Sequence, residues 1–187
     1  MLQGQSIRLR PVREADLELL FLCLTDIRNR GEYFPIKVRS ETWLRKQYQD
    51  SGFWEEHNGL LLITDAAATV IGHIEFFKPA AYLDAYELSY LLYEPAERGK
   101  GVMSEAVSLL THYLFNTRKV NRIQLIIHPD NKASQRVAEK NGFVREGSMR
   151  SAWYHQGQYH DVEVYALLRR EHVTRRNGEV AQLIHEI

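Results

Sequence analysis

A strand, a glycine loop and a helix follow one another in residues 87–115, and this stretch most constrains the fold. Residues 87–93 (ELSYLLY) are rich in apolar and aromatic side chains, which is typical of a buried strand. The dipeptide Glu94-Pro95 ends the strand, and RGKG follows at 98–101. From residue 102 onward, apolar residues recur at the spacing of a helix with one buried face. The stretch therefore predicts a strand, a tight loop and a long helix in that order.

The junction between loop and helix favours an anionic ligand. The first turn of a helix leaves backbone N–H groups unpaired at the positive end of the helix dipole. Glycines at 99 and 101 let a ligand approach these groups, and Arg98 and Lys100 add positive charge. A polar turn that only caps the helix is an alternative of about equal weight, because short glycine motifs often match by chance.

Two common nucleotide motifs do not fit this loop. The Walker pattern GxxxxGK[ST] is missing, and the dinucleotide pattern GxGxxG would need a third glycine where the chain has Ser104. No acidic residue follows at the expected distance of about 20 residues. Both nucleotide interpretations are therefore weak.

The loop resembles the acetyl-CoA loop of the GNAT N-acetyltransferases, whose pattern is [RQ]xxGx[GA]. Arg98, Gly101 and Met103 stand in its three defined places, although Met103 replaces the small residue that is usual there. The string GKGVMSEA is similar to the RimJ/RimL-like branch, which acetylates the N-terminal alanine or serine of ribosomal proteins. The resemblance implies that acetyl-CoA is the co-substrate and that its pyrophosphate is bound by Arg98, Gly99, Lys100, Gly101, Val102, Met103 and Ser104.

A second segment, DNKASQRVAEKNGFVREG at 130–147, resembles the GNAT pattern N-x-x-S-x-x-x-x-E-K-x-G-F. The resemblance implies that Asn131 and Ser134 approach the pantetheine arm and the thioester. Many members of the family carry a tyrosine one turn later that protonates the leaving thiolate, but here that place is Ala138. The acid is then Ser134 or a water molecule.

The family fold is an α/β (α+β) mixed sheet, bent and mostly antiparallel, with about seven strands and about four flanking helices. The apolar runs at 59–64 and 69–77 form a hairpin pattern that supports antiparallel pairing independently. In the family the fourth and fifth strands splay apart, and the pantetheine pairs with free backbone groups of the fourth strand, which correspond here to Leu91, Leu92 and Tyr93. We expect one domain over residues 1–170 and a C-terminal tail at 171–187, which could pack on a partner in a homodimer.

Candidate residues for the amine acceptor are less sharply defined. The resemblance implies that Glu87 is the general base, although a structural carboxylate is about equally expected at this position. Glu75 could point into a site, although a surface carboxylate of a strand is the commoner case. The acceptor wall is predicted to include Tyr33, Phe34 and Trp54, with Trp43 and Phe53; packing over the core is the alternative.

Composition limits the partners. Lys and Arg together number 24 and so do Asp and Glu, which argues against nucleic acid as the main partner. No apolar run is long enough to cross a membrane, the N-terminus lacks a signal-peptide core, and there is one cysteine, so a cytoplasmic location is expected. The histidines are too scattered to predict a metal site. We expect an N-acetyltransferase acting on a protein N-terminal amine; a small-molecule amine acceptor, or acyl-CoA binding without turnover, are the alternatives.

Overall fold

A computed structural model describes residues 1–26, 31–34 and 38–174 of the chain. Most of the predicted loop at 28–36, apart from residues 31–34, and nearly all of the predicted tail lie outside the described residues. The described part contains eight strands, four α-helices, two short 3-10 helices at residues 14–16 and 95–97, and a further helical segment at residues 169–174. In chain order these are β1 Leu2–Gln3, β2 Arg8–Pro11, α1 Leu17–Thr25, α2 Glu41–Ser51, β3 Asn58–Thr64, β4 Val70–Phe77, β5 Ala85–Leu92, α3 Val102–Thr117, β6 Arg122–Ile127, α4 Lys132–Lys140, β7 Val144–His155 and β8 Gln158–Leu168.

The described strands form one sheet in the order β1-β2-β3-β4-β5-β6-β8-β7. Every neighbouring pair is antiparallel except β5 and β6, which are parallel. The predicted mixed, mostly antiparallel sheet is confirmed. The strand count is eight rather than about seven, because Leu2–Gln3 adds a two-residue edge strand. The fourth and fifth strands of the family therefore correspond to β5 and β6.

Helices cover the two faces of the sheet and define two cores. Side chains alternate between the faces of a strand, so a strand that has helices on both sides can contribute to both cores. In β5, Leu88 and Leu92 pack in the core with α3 and α4, whereas Leu91 packs in the core with α1 and α2. We call these the coenzyme face and the acceptor face, respectively.

The parallel pair β5–β6 opens into a gap. Its register covers Ala85–Glu87 against residues 122–124, but β5 continues to Leu92 and β6 to Ile127. The strands therefore separate after Glu87, and the predicted splay is confirmed. The gap matters because unpaired strand N–H and C=O groups require another partner.

At the far edge of the sheet, β7 and β8 are joined by the tight turn Gln156-Gly157. Both residues have positive φ, 49° and 83°. Such values characterise the two-residue hairpin turn whose twist matches that of the strands.

Candidate active site

The loop before α3 is shaped by two glycines in the left-handed region. Gly99 has φ 78° and Gly101, the N-cap of α3, has φ 87°. A Cβ atom built at either position meets no atom of the described residues within 4 Å. Glycine is therefore required by the backbone conformation, and open space lies in front of the loop.

The loop offers backbone rather than side-chain groups to a ligand. Val102 and Met103 are each only 7% exposed and pack in the core of the coenzyme face. The larger side chain at Met103 is accommodated because it lies in this core and leaves the first turn of α3 accessible. The N–H groups of that turn, including Ser104, belong to the set that a helix start leaves unpaired.

Positive side chains lie around the same cavity, but not all of those expected. Arg98 lines it, together with Arg136 and Lys140, which are spaced four residues apart on α4. Lys100 does not line it and pairs with Glu97 at 3.0 Å. Lys100 can therefore offer an anion its backbone N–H group, but Glu97 partly neutralises the charge of its side chain.

The cavity of about 1280 Å³ runs from this loop to the acceptor face. Its lining includes the glycine loop, the strand ends at the β5–β6 gap, the start of α4, and side chains of α1 and α2. Ligand cavities commonly measure about 300–1,000 Å³. The space is thus large enough for a coenzyme and a second substrate together.

Backbone groups at the gap are unequal. The Tyr93 N–H donates to the Ile71 carbonyl at 3.0 Å, so it is not one of the free strand groups. Successive N–H groups of a strand point to opposite edges, which turns Leu91 toward β4 as well and Leu92 toward the gap. Of the three residues predicted to pair with the pantetheine, Leu92 is the one whose backbone faces the right edge.

The start of α4 brings Asn131 and Ser134 to the cavity. The Asn131 side-chain oxygen accepts the Ser134 N–H at 3.1 Å and caps the helix. Ser134 is half-buried and lines the cavity. Ala138, one turn later, is fully buried in the core and supplies no polar group.

Tyr90 of β5 is a cavity residue that the sequence did not single out. Its hydroxyl is buried and has no hydrogen-bond partner among the described residues. Burial raises the pKa of Tyr90 to about 12, and the Ser134 side chain acts in the opposite direction on this pKa. The two hydroxyl groups therefore belong to one local environment.

Two carboxylates lie on the acceptor face. Glu87 accepts a hydrogen bond from the Gln124 amide at 2.9 Å, and burial raises its pKa, an effect that the hydrogen bond opposes. Glu75 is not a surface carboxylate, so the less common of the two expectations applies: it is half-buried in the cavity, and burial raises its pKa against the effect of Ser89. Its neighbours in β4 are buried on both faces of the sheet. The apolar residues on either side of Glu75 were the sequence signal for this burial.

The aromatic candidates divide into two groups. Tyr33 and Phe34 line the cavity, the first stacked on His128 at 4.9 Å and the second edge-on to His73 at 6.1 Å. Trp43 and Phe53 line it too.

Trp54 does not line the cavity, and its position agrees with the alternative expectation that it packs on the core. It packs at the coenzyme-face core, with ring centroids 5.4 Å from Phe76 and 5.9 Å from Tyr113. Gly59 makes room for it, since a Cβ there would lie 2.6 Å from both the Trp54 and the Phe76 rings.

In the described ranges 1–26, 31–34 and 38–174, no cluster of three or more His, Cys, Asp or Glu residues could hold a metal ion. No helix of these ranges has the length and apolar character needed to cross a membrane.

Comparison with known proteins decides the family. A model of the acetyltransferase (GNAT) domain matches residues 6–144, which span the glycine loop, the gap and the start of α4. The chain belongs to the GNAT family of acetyltransferases. Members of this family transfer an acetyl group from acetyl-CoA, so the chain is an acetyl-CoA-dependent N-acetyltransferase.

Some relatives of this GNAT enzyme are named for different acceptor substrates, and the enzyme resembles several of them. It is 31% identical over 177 residues to a probable N-acetyltransferase, YjcK, of Bacillus subtilis, covering 90% of this chain and 97% of that protein. It is 32% identical over 167 residues to the ribosomal-protein-serine acetyltransferase of Escherichia coli, covering 87% and 93%. The spermidine N-acetyltransferase of Vibrio cholerae, solved with CoA and spermine, has the same fold, with a TM-score of 0.78, 22% identity and coverage of 89% and 98%.

Proposed function

We propose that this enzyme acetylates the N-terminal amine of a protein by direct attack of the amine on the thioester of acetyl-CoA. The observation that carries this proposal is the single cavity that joins the glycine loop to two carboxylates on the opposite face of the sheet. Similarity to the ribosomal-protein-serine acetyltransferase over most of both chains supports a protein acceptor.

The coenzyme half of the cavity fits an anionic, extended ligand. The α3 N-terminus and the left-handed glycines would hold the pyrophosphate, and Arg98, Arg136 and Lys140 supply positive charge. Acetyl-CoA supplies the activated acetyl group, and the Leu92 N–H is placed to donate to its carbonyl oxygen as negative charge develops.

The acceptor half fits a cationic amine. Glu75 lies opposite Ser89 in the sheet register, so it is two residues, or about 7 Å, closer to Leu92 than Glu87 is. We therefore assign Glu75 to the incoming ammonium group and keep Glu87 as the second candidate base. A carboxylate with a raised pKa is a better proton acceptor than an ordinary one.

The reaction balances without a covalent enzyme intermediate. The neutral amine forms a bond to the thioester carbon, the bond from carbon to sulfur breaks, and the sulfur leaves with the electron pair. The proton lost by the amine nitrogen is the one that the sulfur gains. Ser134, at the start of α4, is the candidate donor to the departing sulfur.

The second candidate acceptor is a polyamine. Two carboxylates that lie two register positions apart in the cavity lining favour it, because a polyamine carries several positive charges. The spermine-bound relative shows that this fold admits such a ligand.

A release assay for CoA separates the possibilities. Peptides that begin with serine or alanine are compared with their N-blocked forms and with spermidine. We expect turnover of the free peptides and none of the blocked ones. A higher kcat/KM for spermidine would transfer the assignment to polyamines, and binding of CoA without turnover of any amine would refute the enzymatic proposal.

A further inference from the structure

We infer that Tyr90 is a positioning residue for acetyl transfer, whose hydroxyl orients the Ser134 hydroxyl toward the thioester sulfur. The inference rests on the proposed direct attack and names the group that replaces the missing tyrosine at position 138.

Tyr90 stands at the opening of the sheet. It lies three residues beyond Glu87, the last residue of β5 that pairs with β6. Its ring packs against the core of the coenzyme face, the same core that holds Ala138 of α4. Tyr90 and Ser134 both line the cavity, so the phenol from β5 and the serine from the first turn of α4 share one space.

The Tyr90 hydroxyl is an exception among the tyrosines of its strand face. Tyr86, four residues earlier on the same face, donates a hydrogen bond to the Glu56 carbonyl at 3.0 Å. The Tyr90 hydroxyl is buried and has no such partner in the described part of the chain. A buried polar group without a partner destabilises a protein, so we expect the Tyr90 hydroxyl to gain its hydrogen bond to Ser134 when the coenzyme fills the cavity.

The chemistry of the leaving group requires a donor here. When the C–S bond breaks, negative charge collects on sulfur, and a hydroxyl that donates to it lowers the barrier. If the Tyr90 O–H donates to Ser134 Oγ, the serine proton is free to point at the sulfur and is a stronger donor, since hydrogen bonds in a chain polarise each other. With a pKa of about 12, the phenol stays protonated across the working pH range and remains a donor throughout. The proton that sulfur finally gains comes from the amine, so Tyr90 and Ser134 end the cycle as they began it.

The test compares two single-atom deletions on one strand, Tyr90→Phe and Tyr86→Phe. We expect Tyr90→Phe to lower kcat about tenfold, the worth of one hydrogen bond, with the KM for acetyl-CoA changed less than about twofold. Its melting temperature without ligand should equal or exceed that of the unmodified enzyme, because the lost hydroxyl had no partner. Tyr86→Phe should show the reverse: a lower melting temperature and an unchanged kcat.

A double variant tests whether Tyr90 acts through Ser134. Tyr90→Phe combined with Ser134→Ala should have the kcat of Ser134→Ala alone within about twofold, because groups that act as a unit are not additive. Multiplied losses in the double variant, a kcat of Tyr90→Phe within twofold of the unmodified enzyme, or a fall in melting temperature like that of Tyr86→Phe would each overturn the inference. Absence of turnover in the unmodified enzyme would overturn the proposed function as well, so the two failures are distinguishable.

Discussion

Replacing Gly101 with alanine should remove coenzyme binding at a predictable cost in stability. Gly101 has φ 87°, and an alanine in this left-handed region costs about 1–2 kcal/mol. For a protein of this size each kcal/mol lowers the melting temperature by about 2–4 °C. The added methyl group also enters the open space in front of the helix start, where the pyrophosphate would approach the backbone.

Ligand binding to the native state sets the expected rise in melting temperature. Acetyl-CoA at 100 times its Kd stabilises the native state by about 2.7 kcal/mol, which corresponds to a rise of about 5–11 °C. If the methyl group weakens binding a hundredfold, the same concentration gives only about 0.4 kcal/mol, a rise of about 1 °C. The assay is a thermal melt of each variant with and without acetyl-CoA.

Gly157 supplies a matched control. Its φ is 83°, and a Cβ there also meets no described atom within 4 Å, but it lies in the turn between β7 and β8, away from the cavity. Gly157→Ala should therefore lose the same stability and keep the full rise with acetyl-CoA. An equal rise in Gly101→Ala and Gly157→Ala would refute the assignment of this loop to the coenzyme.

Three further variants test the carboxylate, the packing and the end of α3. Burial raises the pKa of Glu75, so the folded state keeps the Glu75 proton to higher pH than the unfolded state does. The stability that this proton contributes is therefore fully present below the ordinary pKa of 4.5. It is lost as the pH rises through the raised pKa. In melts at several pH values, Glu75→Gln should therefore flatten the decline above pH 4.5, and a decline as steep as in the unmodified enzyme would contradict this. Gly59→Ala should lower the unfolding free energy in urea by about 1–3 kcal/mol, since the new methyl group overlaps the Trp54 and Phe76 rings; an unchanged unfolding free energy would contradict this close packing. Arg169→Lys should cost about 2 kcal/mol in the same assay, because the guanidinium donates to the carbonyl of Phe115 in the last turn of α3 and to those of Arg118 and Val120 after it, and an ammonium group cannot reach all three. No loss would show that these bonds contribute nothing.

Local pattern in the sequence was enough for the central part of the fold. The strand, loop and helix at 85–117 follow from apolar spacing and from two glycines, and the structure keeps that order. The edge strand Leu2–Gln3 was missed because two residues cannot show a period.

The site was predictable only where a motif carried it. Asn131 and Ser134 came from a segment whose spacing is fixed by one helix, and both line the cavity. Tyr90 and Ser134 are distant in the sequence, and only the tertiary structure brings both to the lining of one cavity.

Trp54 is a residue for which the sequence left two positions open. An aromatic residue between α2 and β3 can pack on either face of the sheet. The Trp54 ring packs on the face where Gly59 leaves space beside Phe76. Such a choice depends on tertiary volume, which no local pattern records.

The short ladder between β5 and β6 has a mechanical consequence. Backbone hydrogen bonds join β1–β5 to β6–β8 across only the pairs at Ala85–Glu87 in the described sheet, so most of the seam depends on side-chain packing. A ligand whose amide groups hydrogen-bond to Leu92 in the gap between β5 and β6 would connect the two parts of the sheet. Amide hydrogen exchange along both strands should therefore slow together when the coenzyme binds. Binding would then also increase the cooperativity with which the two parts of the sheet unfold.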